Sequence, residues 1–137
     1  MKWSMIMDKA FLFLLGLISI GRAYAQVKIT STEARHLVDE GLRSHDPSHA
    51  IELSQVENRY DRVFMYFEAS WPNPVGSPHL GNFAVNPWTG DVFDSDNCKP
   101  VVSQSLRKLQ DAVRKKLRLK QEEYTKLHER KPVCATE

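Results

Sequence analysis

The chain comprises 137 residues, 42% hydrophobic and 26% charged, with a formal net charge of +2. That length bounds it to one domain with a modest core and leaves no room for two. Residues 1–25 carry the whole charge surplus, so residues 26–137 hold 16 basic and 16 acidic side chains, and a formally neutral body argues against a general nucleic-acid binder.

The first predicted element is an export signal. Lys2 and Lys9 precede an apolar run from Ala10 to Ile20, and Ala23-Tyr24-Ala25 offers the small-x-small triplet that signal peptidase reads. The run has eleven residues, short of the roughly 20 that span a bilayer, and no Cys follows the triplet. Cleavage before Gln26 is therefore expected, giving a periplasmic or secreted domain of residues 26–137 with no stable membrane anchor. In an oxidising compartment, the even pair Cys98 and Cys134 is expected to form a disulfide. It would close a loop of about 36 residues, worth roughly 3–4 kcal/mol by loop entropy. The rival reading, a reactive thiol or half a metal site, lacks a C-x-x-C and a nearby His cluster.

Thr30-Ser31-Thr32-Glu33 has the form of a capping box, and Ala34, Leu37, Val38, Gly41 and Leu42 then share one helical face. Pro47 stops that helix. Ile51, Leu53 and Val56 alternate with polar residues as a first strand, and Asn58 to Asp61 is a turn candidate. The run from Val63 to Trp71 is β-branched and aromatic nearly throughout, and its weak alternation predicts a strand covered on both faces. Three prolines between Pro72 and Pro78 require a loop. Strands Gly81–Val85 and Asp91–Asp94 meet across Asn86-Pro87-Trp88-Thr89-Gly90, where Asn-Pro opens a turn and Gly90 supplies positive φ. Finally Leu106, Leu109, Val113, Leu117, Tyr124 and Leu127 predict one long helix, capped by Ser103 or Ser105 and ended by Pro132. The expected fold is α+β: an antiparallel meander of about four strands packed against an N-terminal helix and a long C-terminal helix. Residues 101–131 contain ten Lys/Arg against four Asp/Glu, whereas 26–100 contain six against eleven. The last helix is thus either a solvated basic face or a patch for an acidic partner or membrane surface.

The segment Asn82 to Phe93 resembles the hairpin of PepSY-type domains: a strand ending in Val-Asn, a Thr-Gly turn, then an acidic residue and Val opening the next strand. It is also similar to hairpins of small exported bacterial immunity proteins that neutralise cell-wall-degrading toxins. Either resemblance implies a binding or inhibitory module rather than an enzyme.

The chemistry-bearing patterns are sparse. Ser105-Leu106-Arg107-Lys108 matches S-x-x-K, without the S-D-N and K-T-G elements that β-lactamase-type enzymes also need. His45, Asp46 and His49 fall short of the three or four rigidly held ligands of a zinc site. Asp91, Asp94, Asp96 and Asn97 suit Ca²⁺ but depart from the EF-hand spacing. Neither a metal nor another cofactor is therefore expected. Trp88 stands out because a large ring is hard to bury at a turn; it either folds back over the sheet edge or anchors a partner. The expected function is non-enzymatic binding of a protein partner through Trp71, His79, Asn86, Trp88 and Asp91, with inhibition of a secreted or cell-wall hydrolase as its sharpest form. A peptidoglycan-acting enzyme or accessory domain and a small-ligand carrier are the alternatives.

Overall fold

A computed structural model describes residues 27–44, 50–72 and 75–134. The expected export signal and the His45–His49 pattern lie outside the described residues. The order is α1 (Ser31–Arg43), β1 (Glu52–Val56), β2 (Met65–Ser70), β3 (His79–Val85), β4 (Val92–Asp94), β5 (Lys99–Pro100), α2 (Gln104–Leu117) and α3 (Gln121–His128). The strands form one antiparallel meander in sequence order, with β2 paired to β3 from Met65↔Val85 through Ser70↔His79.

The capping box forms as read. Glu33 N donates to Thr30 Oγ1 at 3.2 Å and Thr30 N to Glu33 Oε2 at 2.9 Å. One sheet face carries Phe67, Ala69, Phe83, Val85 and Val92, and these bury against Leu37 and Val38 of α1 and Leu106 and Val113 of α2. The helices approach closely at Gly41, where a Cβ would lie 3.0 Å from Val101 Cγ1 and 3.3 Å from Leu106 Cδ2. An ion pair between Glu33 and Lys116 ties the same two helices. Lys116 and the Thr30 amide hold the Glu33 carboxyl below its ordinary range.

The other sheet face carries Phe64, Tyr66, Ala84 and Phe93, with Phe64 and Phe93 edge to face at 6.1 Å. No helix is needed to cover it, because the chain after α3 returns across it. Pro132 is buried, Lys131 Nζ stands 5.0 Å from the Phe93 ring centroid, and Val133 N donates to Tyr66 Oη at 3.1 Å. The Cys98–Cys134 disulfide, with Cα atoms 5.6 Å apart, fastens the end of this strap beside β5.

Two details differ from the sequence expectation. A fifth strand of two residues, Lys99–Pro100, extends the sheet. The long C-terminal helix is two helices, because Arg118 takes left-handed angles (φ 52°, ψ 38°) and caps α2. An unbroken helix over residues 104–128 would run about 37 Å, well past strands that span roughly 23 Å at most. The break turns α3 back so that Leu127, 2% exposed, joins the packed interior.

Candidate functional site

The β3–β4 turn is built around Asn86. Its backbone N donates to Asp91 O at 2.8 Å, its backbone O accepts from Gly90 N at 2.9 Å, and Gly90 closes the turn at φ 75°. The Asn86 side chain does more. Oδ1 accepts from Trp88 N at 3.0 Å and Thr89 N at 3.3 Å, and Nδ2 donates to Leu127 O at 2.8 Å. A fully buried amide thus fastens the hairpin tip to the last turn of α3.

Trp88 is not an exposed tip residue. It is 6% exposed, with Lys28 Nζ 4.8 Å and Arg130 Cζ 4.7 Å from its ring centroid. The segment before α1 and the strap after α3 both reach the tip, and Ile29 N also donates to Pro87 O at 2.8 Å. The fold-back alternative holds for this ring. Its Nε1 is buried with no hydrogen-bond partner among the described residues.

Beside the tip lies a cluster of functional groups from α2, α3 and the turn. His128 Nδ1 sits 2.8 Å from Asp91 Oδ2, and the same oxygen accepts from Thr89 Oγ1. Tyr124, one turn before His128, stacks on its ring at 5.2 Å and 18°. The Arg114 guanidinium lies 3.5 Å from the Tyr124 centroid and pairs with Asp111 at 3.1 Å. Burial first, then the Asp91 charge, push the Tyr124 hydroxyl above its ordinary range, while Arg114 pulls the other way. Together α2, α3 and the β4–β5 edge enclose a groove of about 410 Å³, walled by Arg107, Arg114, Tyr124 and His128 over a floor of Phe93, Pro100 and Val101.

The cluster contains a His–Asp pair, the orienting half of a nucleophilic triad. No Ser or Cys hydrogen-bonds His128 among the described residues. Ser105 instead lies 3.2 Å from Ser103, the N-cap of α2. The Asp94 carboxylate accepts from Asp96 N, Asn97 N and Asn97 Nδ2, and Asp96 accepts from Asn82. The acidic cluster after β4 therefore organises its own turn. No group of three or more His, Cys, Asp or Glu is placed to hold a metal among the described residues.

The five residues singled out in sequence do not form one site. Asn86, Trp88 and Asp91 lie at the tip. Trp71 and His79 sit at the far end of β3, about 20 Å away along seven residues. There Trp71 N donates to Pro78 O at 2.9 Å across the Pro-rich loop, and His79 faces Glu68 at 3.4 Å. Tyr124, His128 and Arg114 were not read as site residues. Their one sequence signal is the i, i+4 spacing of Tyr124 and His128.

A second polar knot, also missed, secures the strap. Asp61 Oδ1 accepts from Val63 N at 2.8 Å and Phe64 N at 3.3 Å, while Oδ2 accepts from Tyr66 Oη at 2.7 Å and Val133 N at 3.3 Å. Burial pushes the Asp61 carboxyl up, yet these donors outweigh it and hold it below the usual carboxylate range. Burial and the adjacent Asp61 push the Tyr66 hydroxyl well above its ordinary value.

No protein-family model matches the chain, and no curated protein matches it; the PepSY resemblance of the hairpin thus has no family match behind it. The fold is similar to a chain in a solved type VI secretion system effector–immunity complex from Pseudomonas protegens. The TM-score is 0.58 and the identity 19%, over 74% of this chain and 88% of that one. At that identity the likeness is one of fold.

Proposed function

We propose that this chain is an exported, non-enzymatic binding protein of the immunity type, which protects its producer by occupying a toxic protein. The fold carries the reading: this domain shares its architecture with 88% of a chain from an effector–immunity complex. Supporting it, the Cys98–Cys134 disulfide suits an oxidising compartment. Inhibition of a secreted or cell-wall hydrolase is the specific form we favour.

The test is a contact competition. The producing strain is the attacker, and an isogenic strain deleted for this chain is the recipient. The deletion strain should be killed and a plasmid-borne copy should restore it, whereas a copy lacking residues 1–25 should not. Equal survival of the deletion strain would sink the proposal. The competing reading, an enzyme acting on peptidoglycan, draws on the Asp91–His128 pair; under it the purified chain would release soluble fragments from cell walls, and His128→Ala would abolish that release.

A further inference from the structure

Many cations among the described residues are already engaged. Arg43 and Lys116 are paired with carboxylates, Arg114 is paired and stacked, and Lys28, Arg130 and Lys131 lie over aromatic rings. Arg107, Lys108, Lys115 and Arg118 have no such partner among the described residues, and all four are exposed. Helical geometry places them together. Positions 107, 111 and 114 form one row on α2, 108, 111 and 115 form the row beside it, and Arg118 caps the end of the helix. Asp111 is the one carboxylate within these rows, and Arg114 already neutralises it. The first row continues into the groove, where Arg107 and Arg114 form the wall over the apolar floor of Phe93, Pro100 and Val101.

We propose that this basic outer face of α2, with the adjoining α2–α3 groove, is the docking surface for an acidic segment of the protein partner. The inference rests on the immunity-type reading and names the chemistry its partner must present: carboxylates facing Arg107, Lys108, Lys115 and Arg118, with an apolar side chain able to enter the groove. Arginine forks take carboxylates in a bidentate way and are less strongly hydrated than ammonium groups, so they suit a contact from which water leaves. An anionic membrane fits less well. The apolar stripe of α2, Leu106, Leu109, Val113 and Leu117, is turned into the core, so the basic face has nothing to insert between lipids. A single-stranded nucleic acid fits less well too, because stacking on bases needs open aromatic faces, and Tyr124 is covered by Arg114 and His128.

The experiment uses the exported, oxidised chain, its double variant Arg107→Glu/Lys115→Glu, and Arg62→Glu, which reverses an exposed cation far along the chain from α2. Each is titrated with fluorescent poly-L-glutamate, phosphatidylglycerol vesicles and duplex DNA at about 0.15 M salt, where long-range attraction is screened. Wild type should prefer polyglutamate, and the double variant should lose about tenfold or more in that affinity, the equivalent of about 1.4 kcal/mol, while Arg62→Glu does not. Tighter binding to vesicles or duplex, or equal loss with Arg62→Glu, would overturn the proposal. In the contact competition, a double variant that melts like wild type should fail to protect. If it protects fully, the docking surface is wrong and the immunity reading survives. If wild type itself gives no protection, the immunity reading fails and the titration alone decides what this face binds.

Discussion

Asn86→Ala tests whether one buried amide holds the hairpin tip to the C-terminal segment. The substitution leaves Trp88 N and Thr89 N without their acceptor, and Leu127 O with backbone contacts alone, among them one from Arg130 N at 3.3 Å. Each buried donor left unmet costs about 1–3 kcal/mol, with the 3.3 Å bond from Thr89 at the low end, and losing the bond to Leu127 adds about 1 kcal/mol. The expected destabilisation is therefore about 3–5 kcal/mol, a large share of the roughly 5–15 kcal/mol typical of a domain. Asn82→Ala is the matched control, because its side-chain amide bonds Asp96 at 2.9 Å in an exposed setting, and it should cost about 1 kcal/mol or less. Urea melts give both values from the shift in midpoint. Hydrogen exchange should show the amides of residues 127–130 opening in the Asn86 variant before the β2–β3 pair does. A destabilisation below about 1 kcal/mol for Asn86→Ala would refute the reasoning, since no buried network would then depend on that side chain.

Trp88→Ala should cost about 3–5 kcal/mol, as core truncations of large rings do; a loss far smaller than that of Val85→Ala in parallel denaturant melts would return the ring to the surface. Reducing the Cys98–Cys134 bond, which closes a 36-residue separation, should lower stability by about 4 kcal/mol in melts with and without reductant; coincident curves would contradict the strap's dependence on it. Asp61 titrates below its unfolded value, so its contribution is complete above pH ~4 and lost as pH falls through the depressed native pKa; Asp61→Asn should flatten the acid limb of the stability curve, and an unchanged limb would refute the assignment. Tyr66 titrates above its unfolded value near 10, so its contribution is lost as pH rises past about 10, and Tyr66→Phe should remove that alkaline loss from pH-dependent melts. Intact mass of the exported protein should place its first residue at Gln26, and a species retaining residues 10–20 would refute the cleavage.

Local chemistry was readable wherever partners lie within a few residues. Thr30 and Glu33 are three apart and form the box their spacing implies. Asn86 and Gly90 close the turn their types require. The apolar stripe drifts onto Leu119 and charged residues between Leu117 and Tyr124, but no Gly or Pro marks the break at Arg118. Its cause is the limited length of the sheet, a tertiary quantity. Burial of Trp88 depends on Lys28 and Arg130, far away in the chain on either side, so a reading of the turn alone leaves the ring stranded. The Asp91–His128 contact spans 37 positions and carries no local signature. The separation of Trp71 and His79 from Asn86 and Trp88 was different: β3 lies between them, and any reading of it as a strand already places them at opposite ends.

The C-terminal strap shows why the disulfide bears on the site and not on stability alone. Residues 129–134 have no regular structure, and ordering six such residues costs about 1–2 kcal/mol each in backbone entropy. Against this stand two cation–π contacts, from Arg130 and Lys131, at about 0.5–1 kcal/mol each when exposed. The hydrogen bonds of Val133 with Asp61 and Tyr66 add about 1 kcal/mol apiece, or somewhat more to a charged acceptor. Burial of Pro132 adds an apolar increment, but for the open chain these gains do not outweigh the ordering cost. The Cys98–Cys134 bond shifts that balance by holding the strap's end in place before the weaker contacts form. Arg130 on Trp88 and Leu127 at Asn86 then fix the end of α3, and α3 carries Tyr124 and His128 to the groove. In the exported setting proposed above, the oxidant that makes the cystine also completes the groove wall, so a reduced copy should be impaired in binding even where its sheet remains folded.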